Sequence, residues 1–136
     1  YSAAARACER NIKICIGGCA SGVLAKTPFT LLQGAAMAAL YTASGMSYCW
    51  IAGATGIEAR YNGEVMNAMA GMDRQKANEV IQAIMRKTSE HAREVKGNTA
   101  KFPDVYDLAT VQPKPEFVAH MERAKEELAQ CGVPFK

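Results

Sequence analysis

The run YCWIA at residues 48–52 is apolar at every position and lies between Gly45 and Gly53. A strand with one solvated face alternates apolar and polar residues, whereas a strand covered on both faces is apolar throughout. The run therefore predicts a strand of a parallel sheet that is buried on both faces. Trp50, in the middle of this strand, is expected to pack under a helix.

A second strand is predicted at residues 12–16, where isoleucines alternate with a lysine and a cysteine. Gly17 and Gly18 are expected to end it. A helix follows each predicted strand, the first beginning at Pro28 and the second near Gly56. Two β-α units in succession favour a parallel sheet with helices packed on it.

The remaining segments are predicted to be helical. Residues 1–10 consist of helix formers, and further helices are predicted from Asp73 to Gly97 and from Pro115 to Gly132. We therefore divide the chain into residues 1–71, which hold the β-α units, and residues 72–136, a helical extension packed on the same domain.

Two parallel strands alone make an unstable sheet, because both have an unpaired edge and their apolar faces stay uncovered. The rest of the sheet is therefore expected upstream of Tyr1 or on a partner chain. A (β/α)8 barrel needs about 250 residues, and these 136 residues would supply its last two β-α units. The predicted fold class is α/β, the C-terminal part of a TIM barrel plus two terminal helices.

Composition narrows the class of protein. Apolar residues make up 49% of the chain, but no apolar stretch approaches the roughly 20 residues that span a bilayer, so a membrane protein is not expected. The net charge of +3 is not gathered into a basic stripe with interleaved aromatic residues, which argues against nucleic-acid binding. Five cysteines, an odd number, favour reduced thiols in the cytoplasm over a disulfide framework.

The segment CIGGCAS at residues 15–21 allows four interpretations. Cys15 and Cys19 could clip a metal ion or form a redox pair, and Gly17 and Gly18 could cradle a phosphate. A structural zinc site needs four ligands, a redox pair needs CxxC spacing, and a phosphate loop needs a helix directly after its glycines. Because the segment matches none of these patterns, we favour a glycine turn at the end of a strand, where a ligand can approach the mouth of the barrel.

The turn AGATG at residues 52–56 allows two interpretations. The start of the helix behind it could attract an anion. Alternatively, Thr55 and Glu58, three residues apart, could form a capping box, and we favour this interpretation. His91 and His120 are expected to be partly buried structural residues.

Three segments carry a family resemblance: TGIEARYNGEVMNAMAG at 55–71, YDLATVQPKPEF at 106–117 and AKEELAQCGVPF at 124–135. They resemble the C-terminal end of monomethylamine methyltransferase, an archaeal family that carries pyrrolysine. TASG at 42–45 and the spaced pair Cys15 and Cys19 also fit the family pattern. The resemblance runs from about Cys15 to Phe135 and implies the last part of a (β/α)8 barrel.

The resemblance also implies an activity for the full protein: transfer of a methyl group from monomethylamine to the Co(I) of a separate corrinoid protein in methanogenesis. The pyrrolysine that holds the amine would lie upstream, so this segment is expected to bind no metal or cofactor and to be inactive alone. The family places a Gln and a Tyr beside pyrrolysine, and counting back from Cys15 their positions hold Asn11 and Lys13. Lysine would repel methylammonium, so either the count slips by a residue or two, or this member has a different methylated substrate or has lost activity.

These considerations give a set of pocket candidates: Asn11, Lys13, Cys15, Gly17, Gly18, Cys19, Thr55 and Glu58. A methylated amine and a corrinoid protein are the expected partners, and a homo-oligomer is expected. The alternative is a non-catalytic segment that serves packing and oligomer assembly through the apolar stripes of residues 77–95 and of the last helix.

Overall fold

A computed structural model describes residues 2–12, 14–21, 28–52, 55–92 and 100–135. Within these ranges the chain forms two strands and six helices. The elements in chain order are α1 (Ser2–Asn11), β1 (Gly17–Ser21), α2 (Pro28–Ala43), β2 (Tyr48–Ala52), α3 (Gly56–Met69), α4 (Arg74–His91), α5 (Phe102–Val105) and α6 (Pro115–Gln130).

The two strands pair in parallel, in a register that runs from Gly17 opposite Tyr48 to Ser21 opposite Ala52. A helix follows each strand, as the sequence predicts, and β2 has the predicted bounds. The predicted first strand is wrong. Residues 12 and 14–16 lie outside the sheet, and β1 begins at Gly17, where the sequence had suggested that a strand would end.

The two glycines at the start of β1 serve close packing. The ring of Tyr48 lies where a Cβ at position 17 would be. A Cβ at position 18 would lie 2.5 Å from Cε2 of Tyr41 and 2.7 Å from Sδ of Met46. Glycine is found inside strands where another group approaches the backbone closely, and this explains why the strand contains residues that usually break one.

Tyr41 of α2 connects the sheet to the helical layer. Its side chain is almost fully buried, its ring lies against Gly18, and its hydroxyl donates a hydrogen bond of 2.8 Å to the carbonyl oxygen of Cys19. Met46 and Ala5 are buried beside it, and Cys49 packs there half-buried. One face of the sheet is therefore covered by α2 and α1.

The other face of the sheet is open. Tyr48 and Trp50 alternate along β2 and are 57% and 64% exposed. The prediction that β2 is buried on both faces, with Trp50 under a helix, is wrong for this chain. Side chains two residues apart in a strand point to the same face, so Tyr48 and Trp50 stand together on the face opposite α2.

The main core lies between the helices. Helix α2 packs against α3, α4 and α6, and its buried alanines allow these helices to approach closely. The apolar stripes of α3, α4 and α6 supply most of the core, whereas Met85 of α4 is half-exposed. The fully buried side chains of this core include Leu32, Ala35, Tyr61, Val65, Ile84 and Leu128.

A pair of polar side chains joins the end of α4 to α6. Nε2 of His91 lies 2.9 Å from Oε2 of Glu127, and both side chains are buried. His91 is thus a structural residue, as expected, and His120 is half-buried with its ring edge-on to Phe117. The predicted end of this helix at Gly97 lies outside the described residues. Gly132, with a φ of 96°, follows α6 as predicted.

In the described part of the chain, no helix combines the length and the apolar character that crossing a bilayer requires.

We expect Gly18→Ala to lower the free energy of unfolding by about 1–3 kcal/mol, because the added methyl group overpacks the contact with Tyr41 and Met46. Gly63→Ala is the matched control. Nothing lies within 4 Å of a Cβ at this helical position, so alanine should stabilise the protein by up to about 1 kcal/mol. Urea denaturation measures both, and equal effects of the two substitutions would contradict the packing role of Gly18.

Candidate functional site

The carboxyl ends of the two strands define one edge of the sheet. Because the strands are parallel, β1 ends at Ser21 beside Ala52, the last residue of β2. Sites on parallel α/β folds lie at this edge. Residues 22–27 and 53–54, which follow the strands, lie outside the described part of the chain. Thr55 and Glu58, at the start of α3, come directly after this edge.

Glu58 folds back onto the start of its own helix. Its Oε2 accepts hydrogen bonds from the backbone N–H of Thr55 at 2.8 Å and from the hydroxyl of Thr55 at 3.1 Å. Burial raises the pKa of Glu58 above its ordinary value, while the two hydrogen bonds from Thr55 act in the opposite direction. The structure thus contains the Glu58 half of the predicted capping box.

A second polar group occupies the start of α3. The phenol oxygen of Tyr106 accepts a hydrogen bond of 2.8 Å from the backbone N–H of Ile57. Tyr106 is buried and stacks on Phe102 with ring centroids 4.6 Å apart. The N–H groups of Thr55 and Ile57 both have partners, so the geometry favours capping over anion binding at this helix end. Sequence reasoning missed Tyr106, because it lies 49 residues from its partner.

The segment CIGGCAS is not a turn at the end of a strand. Cys15 lies before β1 and Cys19 lies within it, opposite Trp50, and both cysteines are exposed. Gly17 and Gly18 are strand residues. In the part of the chain that the structure describes, no three His, Cys, Asp or Glu side chains are placed to hold a metal ion. The metal-clip interpretation therefore finds no ligand set there.

Asn11 lies at the opposite edge of the sheet. It is the last residue of α1, and its Nδ2 donates a hydrogen bond of 2.6 Å to the carbonyl oxygen of Ala7. Glu9, in the same turn, lies against Gly45, which precedes β2. The structure therefore places Asn11 near the amino-terminal ends of the strands, away from Thr55 and Glu58. Lys13 lies outside the described residues.

The open face of the sheet adds residues to the candidate site. Tyr48, Trp50 and Cys19 are exposed on the sheet, and register pairs Cys19 with Trp50. In a closed barrel, the face of a strand away from the helices points into the lumen. The sequence signal for Tyr48 and Trp50 is their spacing of two along β2, which places both on one face of the strand. The expectation that β2 is buried on both faces obscured this signal.

The pKa shifts of two glutamates predict opposite pH dependences. Because the folded-state pKa of Glu58 is raised, wild type should lose stability relative to Glu58→Gln as pH rises from the ordinary pKa of a glutamate through the raised folded-state pKa. The pKa of Glu64 is lowered, chiefly by its hydrogen bond with Lys125. Wild type should therefore gain stability relative to Glu64→Gln as pH rises through the lowered folded-state pKa.

Urea denaturation of the three proteins between about pH 3 and pH 8 measures both differences, since glutamine does not titrate in this range. Glutamine at position 58 still offers an oxygen to the N–H of Thr55, so the comparison isolates the charge. Parallel pH profiles for the two variants would contradict the assignment of opposite environments to Glu58 and Glu64.

The sequence of this chain is similar to those of known proteins. The sequence profile of monomethylamine methyltransferase MtmB matches residues 14–133. The chain is 31% identical over 131 residues to monomethylamine methyltransferase MtmB of Methanosarcina mazei. It is 30% identical over 131 residues to MtmB1 of Methanosarcina acetivorans. Each match covers 89% of this chain and 27% of the relative, so the chain spans about a quarter of the length of these relatives.

The fold agrees with a solved structure. The crystal structure of the monomethylamine methyltransferase of Methanosarcina barkeri superimposes with a TM-score of 0.86 at 24% identity, over 97% of this chain and 31% of that protein. This likeness confirms the predicted fold class, an α/β segment from a barrel plus terminal helices. With a family profile that matches residues 14–133, the chain belongs to the monomethylamine methyltransferase family.

Proposed function

We propose that this chain is the C-terminal part of a methyltransferase that moves a methyl group from monomethylamine to the Co(I) of a cognate corrinoid protein. The observation that carries the proposal is the family match across residues 14–133, together with the M. mazei relative that is named for monomethylamine. Because the chain spans 27% of that relative, the complete activity belongs to a longer protein, and this segment alone is inactive.

The open face of the sheet is the part of the chain that would border the reaction. Tyr48 and Trp50 project from it beside Cys19. Aromatic side chains remove water from a cavity and attract cations to the faces of their rings. These rings would therefore interact favourably with both the positive charge and the methyl group of an alkylammonium ion.

The contribution of this segment is positioning. The group that would capture the amine is a pyrrolysine upstream of these residues in the family that the sequence resembles. The rigid attachment of β1 to α2 through Tyr41 would fix the lumen wall, so that the methyl group is held toward its acceptor and water is excluded. None of the described side chains needs to act as an acid or a base in this scheme.

The methyl acceptor would be carried by the partner protein, and this segment would bind no cofactor of its own. Bound corrinoid supplies a strongly nucleophilic metal centre that accepts the methyl group. The partner would approach the carboxyl edge of the sheet, which Thr55 and Glu58 border. We further propose a homo-oligomer in the cytoplasm, where Cys8, Cys15 and Cys131 would remain thiols.

The proposal predicts that the full protein containing this chain methylates the Co(I) corrinoid protein when monomethylamine is supplied. Absorbance spectroscopy of the corrinoid follows the reaction. Dimethylamine, trimethylamine and a reaction without amine are the controls. Turnover with only another methylated amine would show that this amine, and not monomethylamine, is the substrate. No turnover with any of the amines would contradict the proposed function.

A substitution tests the wall of the pocket. Trp50→Ala should lower the rate of methyl transfer by about tenfold or more, because the substrate is less well positioned and water enters. Leu108→Ala is the matched control, because Leu108 is 65% exposed in a turn and is not a residue of the sheet. Its rate should equal that of wild type. Equal rates for all three proteins would remove Trp50 from the site.

A further inference from the structure

A polar cavity lies at the amino-terminal edge of the sheet, where α1, the end of α2 and the start of α4 meet. Its volume is about 280 Å³, enough for a small multivalent anion. Gly45, with a φ of 84°, turns the chain there from α2 toward β2. The polar side chains that line the cavity are Arg6, Glu9, Arg10, Thr42, Ser44 and Arg74.

Three guanidinium groups surround this cavity. Arg6 and Arg10 are four residues apart in α1 and therefore lie on the same face of that helix. Arg74 reaches the cavity from the first residue of α4. In the described ranges of the chain, none of these arginines forms an ion pair with a carboxylate.

Two features of this placement are unfavourable without an anion. Like charges at i and i+4 destabilise a helix, and Arg6 and Arg10 are such a pair. A cation in the first turn of a helix opposes the helix dipole, and Arg74 occupies that position. The Asp73 carboxylate beside Arg74 is engaged as the cap, since it accepts the N–H groups of Gln75 and Lys76.

The surroundings compensate only part of this charge. Glu9 is the one carboxylate among the residues that line the cavity, and its side chain lies across Gly45. The carboxyl end of α2 contributes the equivalent of about half a negative charge. More than one positive charge therefore remains in the cavity.

We propose that this cavity binds a compact anion that bears phosphate groups. Arginine presents a planar set of donors that matches phosphate oxygens, and phosphate bound by several arginines is held by short charge-assisted hydrogen bonds. The hydroxyls of Ser44 and Thr42 both line the cavity but donate to the carbonyl oxygens of Leu40 and Ala38, so recognition depends on the three arginines. The site lies at the edge of the sheet opposite the one proposed for methyl transfer.

Isothermal titration calorimetry with pyrophosphate tests the proposal in the full protein that contains this chain, at constant ionic strength. Saturable binding is expected, and Arg74→Gln should weaken it by about tenfold. Arg86→Gln is the matched control, because Arg86 is exposed on the same helix and does not line the cavity. It should bind pyrophosphate as wild type does.

A second arm separates phosphate from other anions. Citrate carries a comparable charge on carboxylates, and tighter binding of citrate than of pyrophosphate would overturn the assignment to phosphate. Absence of saturable binding, or equal weakening by Arg74→Gln and Arg86→Gln, would overturn the site. The double variant Arg6→Gln and Arg10→Gln should also lose binding while its unfolding midpoint without ligand stays equal to or above that of wild type, because the like-charge pair is gone.

Discussion

The contact of Tyr41 with β1 determines how the sheet and the helices are combined. The ring occupies the space that a side chain at position 18 would need, and the hydroxyl holds the carbonyl oxygen of Cys19. Because both interactions come from one buried side chain, α2 can lie on only one face of the sheet. The face that carries Tyr48 and Trp50 is left without helices. An open face on a parallel pair is the geometry of a barrel segment, since the lumen side of a barrel is covered by the other strands.

The central position of α2 follows from its small side chains. Ala35, Ala38 and Ala39 are fully buried, so α3, α4 and α6 pack against a helix with little side-chain volume. The pair of His91 and Glu127 joins α4 to α6. Removing one member of a buried pair leaves an uncompensated polar group. The helical extension thus supports the helix that in turn supports the sheet.

Sequence reasoning located elements whose signals are local. β2 was found because an uninterrupted apolar run predicts a strand, and α3 and α6 were found from Thr55, Pro115 and Gly132. β1 was misplaced because glycine usually ends a strand. In this chain, Gly18 leaves room for the ring of Tyr41. Tyr41 is 23 residues away in sequence, so this contact has no local signal.

The candidate site was predictable in part for the same reason. The spacing of Thr55 and Glu58 predicts a capping box, and the structure contains the hydrogen bond from the Thr55 N–H to the Glu58 carboxylate. The partner Tyr106 could not be found from a single sequence. Asn11 was chosen by counting back from Cys15 along the pattern of the family that the sequence resembles. Since β1 starts after both residues, that count leads to the other edge of the sheet.

The placement of the two proposed sites at opposite edges gives α2 a role beyond packing. Pro28, its first residue, follows the segment that leaves the carboxyl end of β1. Its other end, at Ser44 and Gly45, borders the arginine cavity. A helix whose buried face is close-packed moves as a rigid body rather than bending locally. The helix that borders the arginine cavity therefore also carries Tyr41, which holds the strand at the wall of the lumen.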